Sequence, residues 1–139
     1  MSGPYVIIWT PVHPTESVDR VIAAVHELFP DAVCEPLEGG LVARGRSVAH
    51  LSEHLHQQRI LDTARTAIDV DAADRHLHFQ LNKQAATIDL LNFAVGDPPE
   101  LGHIDVVVYL PAGGAAALLD VVAPPTVDGV PITSTSDTE

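Results

Sequence analysis

The sequence predicts an α+β domain: an antiparallel or mixed sheet with two main helices packed on one face, in the order β-α-β-β-α-β-β-β. Three observations predict it. Short β-branched and aromatic runs recur along the chain, two longer stretches instead repeat apolar residues every three or four positions, and Glu38-Gly39-Gly40 joins two of the short runs directly.

The first short run, residues 5–10, ends at Pro11 and Pro14 and reads as a buried first strand. Thr15 then caps a helix over residues 16–29, with Val18, Val21, Ile22, Val25 and Leu28 on one face and Pro30 as its stop. Residues 32–37 and 41–44 form a hairpin around the glycines, which supply the positive φ of a tight turn. Ser47 caps a single long helix to about Ile68, with a buried stripe of Val48, Leu51, Leu55, Leu61, Ala64 and Ile68. Residues 69–74 are a loop, 76–81 a fourth strand, and 82–86 a turn or single helical turn. Residues 87–93 fit helix or strand, with strand favoured, and 103–110 supply the final strand. Residues 1–111 therefore make one domain, and 112–139 are expected to be an acidic, largely disordered tail.

A chain of 139 residues with 46% apolar content can build a core without disulfide or metal, and Cys34, the only cysteine, reads as a packed thiol in a reducing, cytoplasmic setting. No stretch approaches the length of a membrane span. Nineteen acids against six arginines and one lysine, net −12, would ordinarily argue against nucleic acid as a partner. Twelve of the acids are aspartates, however, which suits a halophilic archaeal protein whose surface is solvated in high salt. In that setting only the local placement of the cations is informative.

The catalytic signatures are weak. His50-Leu-Ser-Glu-His54 fits an inverted zinc-protease pattern but lacks a third ligand on a second helix, and His76 with His78 could share one strand face. Two solvated pairs are the simpler account, so no metal, no cofactor and no enzymatic activity are expected. There is no nucleophile elbow, phosphate-binding loop or dinucleotide fingerprint. Cations and amides are the better lead. Arg44 and Arg46 lie two apart at a strand end, Gln58 and Arg65 lie seven apart on one helix stripe, and Lys83 follows the neighbouring strand. Were those ends to converge, they would offer phosphate and ribose contacts to a structured RNA. The alternative is that they tie helices to the hairpin.

The segments Pro11-Val-His-Pro-Thr-Glu16, Leu37-Glu-Gly-Gly40, Gln57-Gln-Arg-Ile-Leu-Asp-Thr-Ala-Arg65, Leu81-Asn-Lys-Gln-Ala-Ala86 and Leu101-Gly-His-Ile104 together resemble the archaeal RNA-binding-domain-like UPF family over about residues 5–110. The resemblance implies a fold like that of the ribosomal protein holding 5S ribosomal RNA. It also implies a relationship to proteins expected to accompany the archaeal exosome. By it, Arg59, Asp62, Arg65, Asn82, Lys83 and Gln84 take signature positions, and residues 87–93 become strand. The expected function is a non-enzymatic RNA-binding or ribonucleoprotein-associated module. The alternative is a homodimeric scaffold in which the same residues are structural.

Overall fold

The computed structural model describes residues 4–86, 93, 103–127 and 130–131. Six strands form one sheet in the order β2-β3-β1-β6-β5-β4. They are β1 Tyr5–Pro11, β2 Val33–Leu37, β3 Gly40–Gly45, β4 Asp69–Val70, β5 His76–Asn82 and β6 His103–Tyr109. Every pairing is antiparallel, which settles the choice between an antiparallel and a mixed sheet. The helices are α1 Val18–Leu28, α2 Ala49–Gln58, α3 Leu61–Ala67, the single turn α4 Lys83–Ala86, and α5 Ala115–Val122. A separate two-stranded ribbon pairs β7 Thr126–Val127 with β8 Val130–Pro131.

The central strand β1 is flanked by β3 and β6, and its side chains alternate: Val6, Ile8 and Thr10 are buried, whereas Tyr5, Ile7 and Trp9 are not. The buried set continues across the sheet through Ala43, Val106, Val108, Leu77 and Phe79, and the helices pack over it. Val21, Ala24, Val25 and Leu28 of α1 and Leu51 and Leu55 of α2 complete this core. The expectation of a buried first strand therefore holds for alternate residues only.

Four boundaries depart from expectation. The first helix begins at Val18, capped by Ser17, whose Oγ accepts the Arg20 N–H at 3.4 Å. Thr15 cannot cap it, because residues 13–16 already close a turn in which Glu16 N–H donates to His13 O at 2.9 Å. Ser47 does accept the Ala49 N–H at 3.2 Å, but the long helix breaks in two. Arg59 sits in the left-handed region at φ 58° and ends α2, with Ile60 N–H donating to Leu55 O. The apolar phase explains the break. Leu55 and Leu61 are six residues apart, about 120° out of register on a continuous helix, and the interruption lets both face the core.

The third departure lies in the segment expected to be tail. It opens with α5, whose Ala115, Leu119 and Val122 are buried, as is Ala123 after it. No side chain of its own caps this helix; the Asp74 carboxylate, 40 residues upstream, accepts the Gly114 and Ala116 N–H groups at 3.2 and 2.7 Å. The fourth departure is the loop over residues 69–74, which begins as the two-residue edge strand β4. Phe93 bridges to Leu81, consistent with a strand there, while residues 87–92 lie outside those described.

Candidate nucleic-acid interface

The side of the sheet away from the helices carries rings where a solvated sheet would carry small polar groups. Tyr5, Ile7 and Trp9 are 39, 44 and 40% exposed. The register sets them in rows: Tyr5 beside Tyr109 and His76, Ile7 between Arg44 and Val107, and Trp9 between Val42 and Asp105. The first row is a ladder of planar groups. The Arg46 guanidinium lies 4.4 Å from the Tyr5 ring centre, Tyr5 and Tyr109 are 6.5 Å apart at 28°, and Tyr109 and His76 are 4.8 Å apart at 30°. The distal edge of the Trp9 ring lies against Gly40 of β3. A Cβ on Gly40 would collide with that ring, so the indole keeps this position only while residue 40 is glycine.

Polar anchors fix this surface. Arg46 Nε donates to Pro4 O at 2.9 Å, and its backbone N–H donates to Asp31 at 2.8 Å. Asp105 accepts Gln80 Nε2 at 2.8 Å and lies 3.4 Å from His78 Nε2. Asp71 accepts the His76 and Arg75 backbone N–H groups, both at 2.7 Å, and faces the His76 ring at 3.3 Å. The His76 N–H bond above all, with the Arg75 N–H and the His76 ring adding to it, holds the Asp71 carboxyl down to about 2.

The cations and amides singled out from the sequence do not converge. Arg44, Arg46 and Asn82 belong to the open face or its rim, whereas Gln58, Arg59 and Arg65 belong to the helical layer. Arg44 meets Glu35 at 3.6 Å with both side chains mostly exposed, a weak pair. Arg65 ties α3 to α5 through Asp120 and Ala123 O, each at 2.8 Å. Asp62 accepts the Thr126 hydroxyl at 2.6 Å. Gln84 lies in α4.

Lys83 is buried, 1% exposed. Its ammonium donates to Pro11 O at 2.6 Å and to Glu16 at 2.9 Å, and Glu16 also accepts the His13 N–H at 3.0 Å. Burial pushes the Glu16 carboxyl up, but the His13 bond and the Lys83 bond and charge outweigh it and leave it below its ordinary value. This lysine pins the loop between β1 and α1 to the end of β5.

The histidine pairs are also placed. The His50 and His54 rings lie 5.4 Å apart, tilted at 47°, and are 3.5 and 3.9 Å from Glu53 and Glu27. Among the described residues no group of three or more ligands could hold a metal. Burial raises the Cys34 thiol, which lies 3.7 Å from His26 Nε2 while that nitrogen bonds Ala32 O at 2.9 Å. Among the described residues no helix is long and apolar enough to cross a membrane. Tyr5, Ile7, Trp9 and Tyr109 were not singled out from the sequence. The signal was there: in Tyr5-Val-Ile-Ile-Trp9 both alternating sets are large and apolar, though only one can face the helices.

A family model described as RNA binding matches residues 5–110. A UPF0201 protein of Thermococcus kodakarensis is 34% identical over 128 residues, covering 87% of this chain and 90% of that one. The chain belongs to the archaeal UPF0201 family. A UPF0200/UPF0201 protein of Archaeoglobus fulgidus is 40% identical over 126 residues, 90% of this chain, but the chain spans only 39% of that relative's length. The crystal structure of a UPF0201 protein from Methanococcus jannaschii superposes with a TM-score of 0.81 at 31% identity, covering 93% of this chain and 99% of that one.

Proposed function

We propose that this UPF0201 chain is a non-enzymatic, cytoplasmic RNA-binding module whose contact surface is the open face of its sheet. The observation that carries the reading is the ladder from Arg46 through Tyr5 and Tyr109 to His76, with Trp9 beside it. Exposed rings on a sheet are a stacking platform for unpaired bases, and such stacking contributes about 1–3 kcal/mol per base. The description of the family model supports the same reading.

Charge shapes how such a module would bind. With seven basic residues against nineteen acids, few phosphates can be neutralised, so affinity rests on stacking and depends weakly on salt. That suits the halophilic setting inferred from composition, and a role within a ribonucleoprotein. Lys83 contributes by holding the fold, since its ammonium is already committed to Glu16 and Pro11.

A second reading is a face-to-face homodimer, favoured by the exposure of Ile7 and Val33, the latter 73% exposed. One variant separates the two. Trp9 is the only tryptophan, so its fluorescence reports on this face directly. RNA should quench it, and Trp9→Ala should weaken RNA binding at least about tenfold, roughly one stacked base. If the wild-type chain binds no RNA, or Trp9→Ala binds RNA as well as wild type, the RNA reading fails. A dimer in sedimentation that dissociates in Trp9→Ala would then establish the homodimer.

A further inference from the structure

One corner of the open face is concave. Ile7, Val33 and Tyr109 floor a cavity of about 480 Å³, and Asp31, Arg44 and Arg46 stand around it. We infer that this cavity is a subsite for a single unpaired nucleotide, with the base on the apolar floor and the phosphate against Arg44 and Arg46. The inference rests on the RNA reading and narrows it to a strand or loop that can release one base.

The volume falls within the range of about 300–1,000 Å³ typical of small-ligand sites. The floor is suited to an apolar plane: Val33 is 73% and Ile7 44% exposed, and the Tyr109 ring is held between Tyr5 and His76. The two cations differ in a useful way. Arg46 is rigid, because Nε donates to Pro4 O and its guanidinium rests on Tyr5, and among the described residues no carboxylate lies within ion-pair distance of it. Arg44 meets Glu35 at 3.6 Å, with side chains 65 and 61% exposed, a pair that an incoming phosphate can displace. Asp31 is the opposing charge. One of its oxygens accepts the Arg46 N–H, which keeps the carboxylate at the wall, where it can accept from a ribose hydroxyl or a base amino group. A duplex keeps its bases stacked inside and cannot fill such a site.

The test uses the full chain and three probes: a single-stranded RNA of about eight nucleotides, within the span of common single-strand sites, the same strand annealed to its complement, and adenosine 5′-monophosphate. Val33→Glu places a negative charge in the cavity from an exposed edge position. Val121→Glu, on α5 and 70% exposed, makes the same change of net charge in the helical layer. Thermal melts confirm that both variants fold. The single strand should bind at least about tenfold more tightly than the duplex, and Val33→Glu should lower its affinity about tenfold while Val121→Glu changes it less than about twofold. Equal binding of duplex and single strand, or equal effects of the two substitutions, would overturn the subsite and leave the RNA reading standing. Should only the monophosphate bind, and Val33→Glu abolish it, the cavity is a free-nucleotide site and the RNA reading falls. If no probe binds, both fall.

Discussion

Two faces of one sheet, built from alternate residues of the same strands, have opposite fates. On one, Val6, Ile8, Val106 and Val108 are at most 1% exposed beneath the helices; on the other, Tyr5, Ile7 and Trp9 keep about two-fifths of their surface in solvent. The chemistry of the two sets is similar, so hydrophobicity did not decide which side the helices took. What differs is shape. The covered side is built mainly of branched aliphatic residues that interdigitate with helices, whereas the open side carries rings, with the Trp9 indole against Gly40. Among the described residues these rings have no helix over them, which suits contact with something outside the fold.

The comparison can be broken most severely through the lysine that pins the covered side. Lys83→Met leaves Glu16, whose side chain is 11% exposed, without its cation and should cost about 3–5 kcal/mol, read by chemical denaturation. The folded fraction should keep the wild-type salt dependence of RNA binding. A stable variant with a shallower salt slope would instead put Lys83 on phosphate.

Neighbouring isoleucines give the sharpest contrast. Ile8→Ala opens a cavity in the core and should cost about 2–5 kcal/mol, whereas Ile7→Ala, one residue away and 44% exposed, should cost under about 1 kcal/mol and weaken RNA binding instead. Equal losses of stability would mean that the open face is covered in solution.

Acid should reach both faces. Glu16 and Asp71 have carboxyls held below their ordinary values of 4.5 and 3.8, so their stabilisation is fully present above those values. It is lost as pH falls through the depressed values, about 2 for Asp71. The unfolding midpoint should therefore drop as pH falls below about 4.5, and Glu16→Gln should flatten the upper part of that decline.

The smallest effect belongs to the residues after Ala123. Stopping after Ala123 removes the Thr126 bond to Asp62 and the β7–β8 ribbon, and should lower the midpoint by less than about 4 °C. Stopping after Pro111 removes α5 with its buried Ala115, Leu119 and Val122, and should abolish cooperative unfolding.

Much of this was legible because the signals are local. The hairpin could be read from Glu38-Gly39-Gly40, where Gly39 does adopt φ 77°, and α1 from its own periodicity. The break at Arg59 was legible in principle, in the six-residue step between Leu55 and Leu61, but the overall run of apolar residues masked it. The start of α5 was not legible, because its cap is Asp74, which only the fold brings near. The open face needed the same context: Tyr5-Val-Ile-Ile-Trp9 reads as a strand buried on both sides until the helices are known to lie on one. Lys83 stood out as the only lysine, but whether it met solvent or Glu16 depended on the turn at residues 13–16.

The position of β1 sets an order of events during synthesis. It precedes the other five strands of its sheet in the chain, yet it lies in the middle of that sheet. Its partner on one edge, β3, follows about 35 residues later, but the other edge waits for β6, about a hundred residues behind. Until then a nascent chain carries a strand with one edge open and large apolar groups on both sides, the kind of segment that sticks to other chains. The stability of the finished domain offers that intermediate no protection, so the interval before residues 103–109 emerge is the one in which this chain is most exposed to its neighbours.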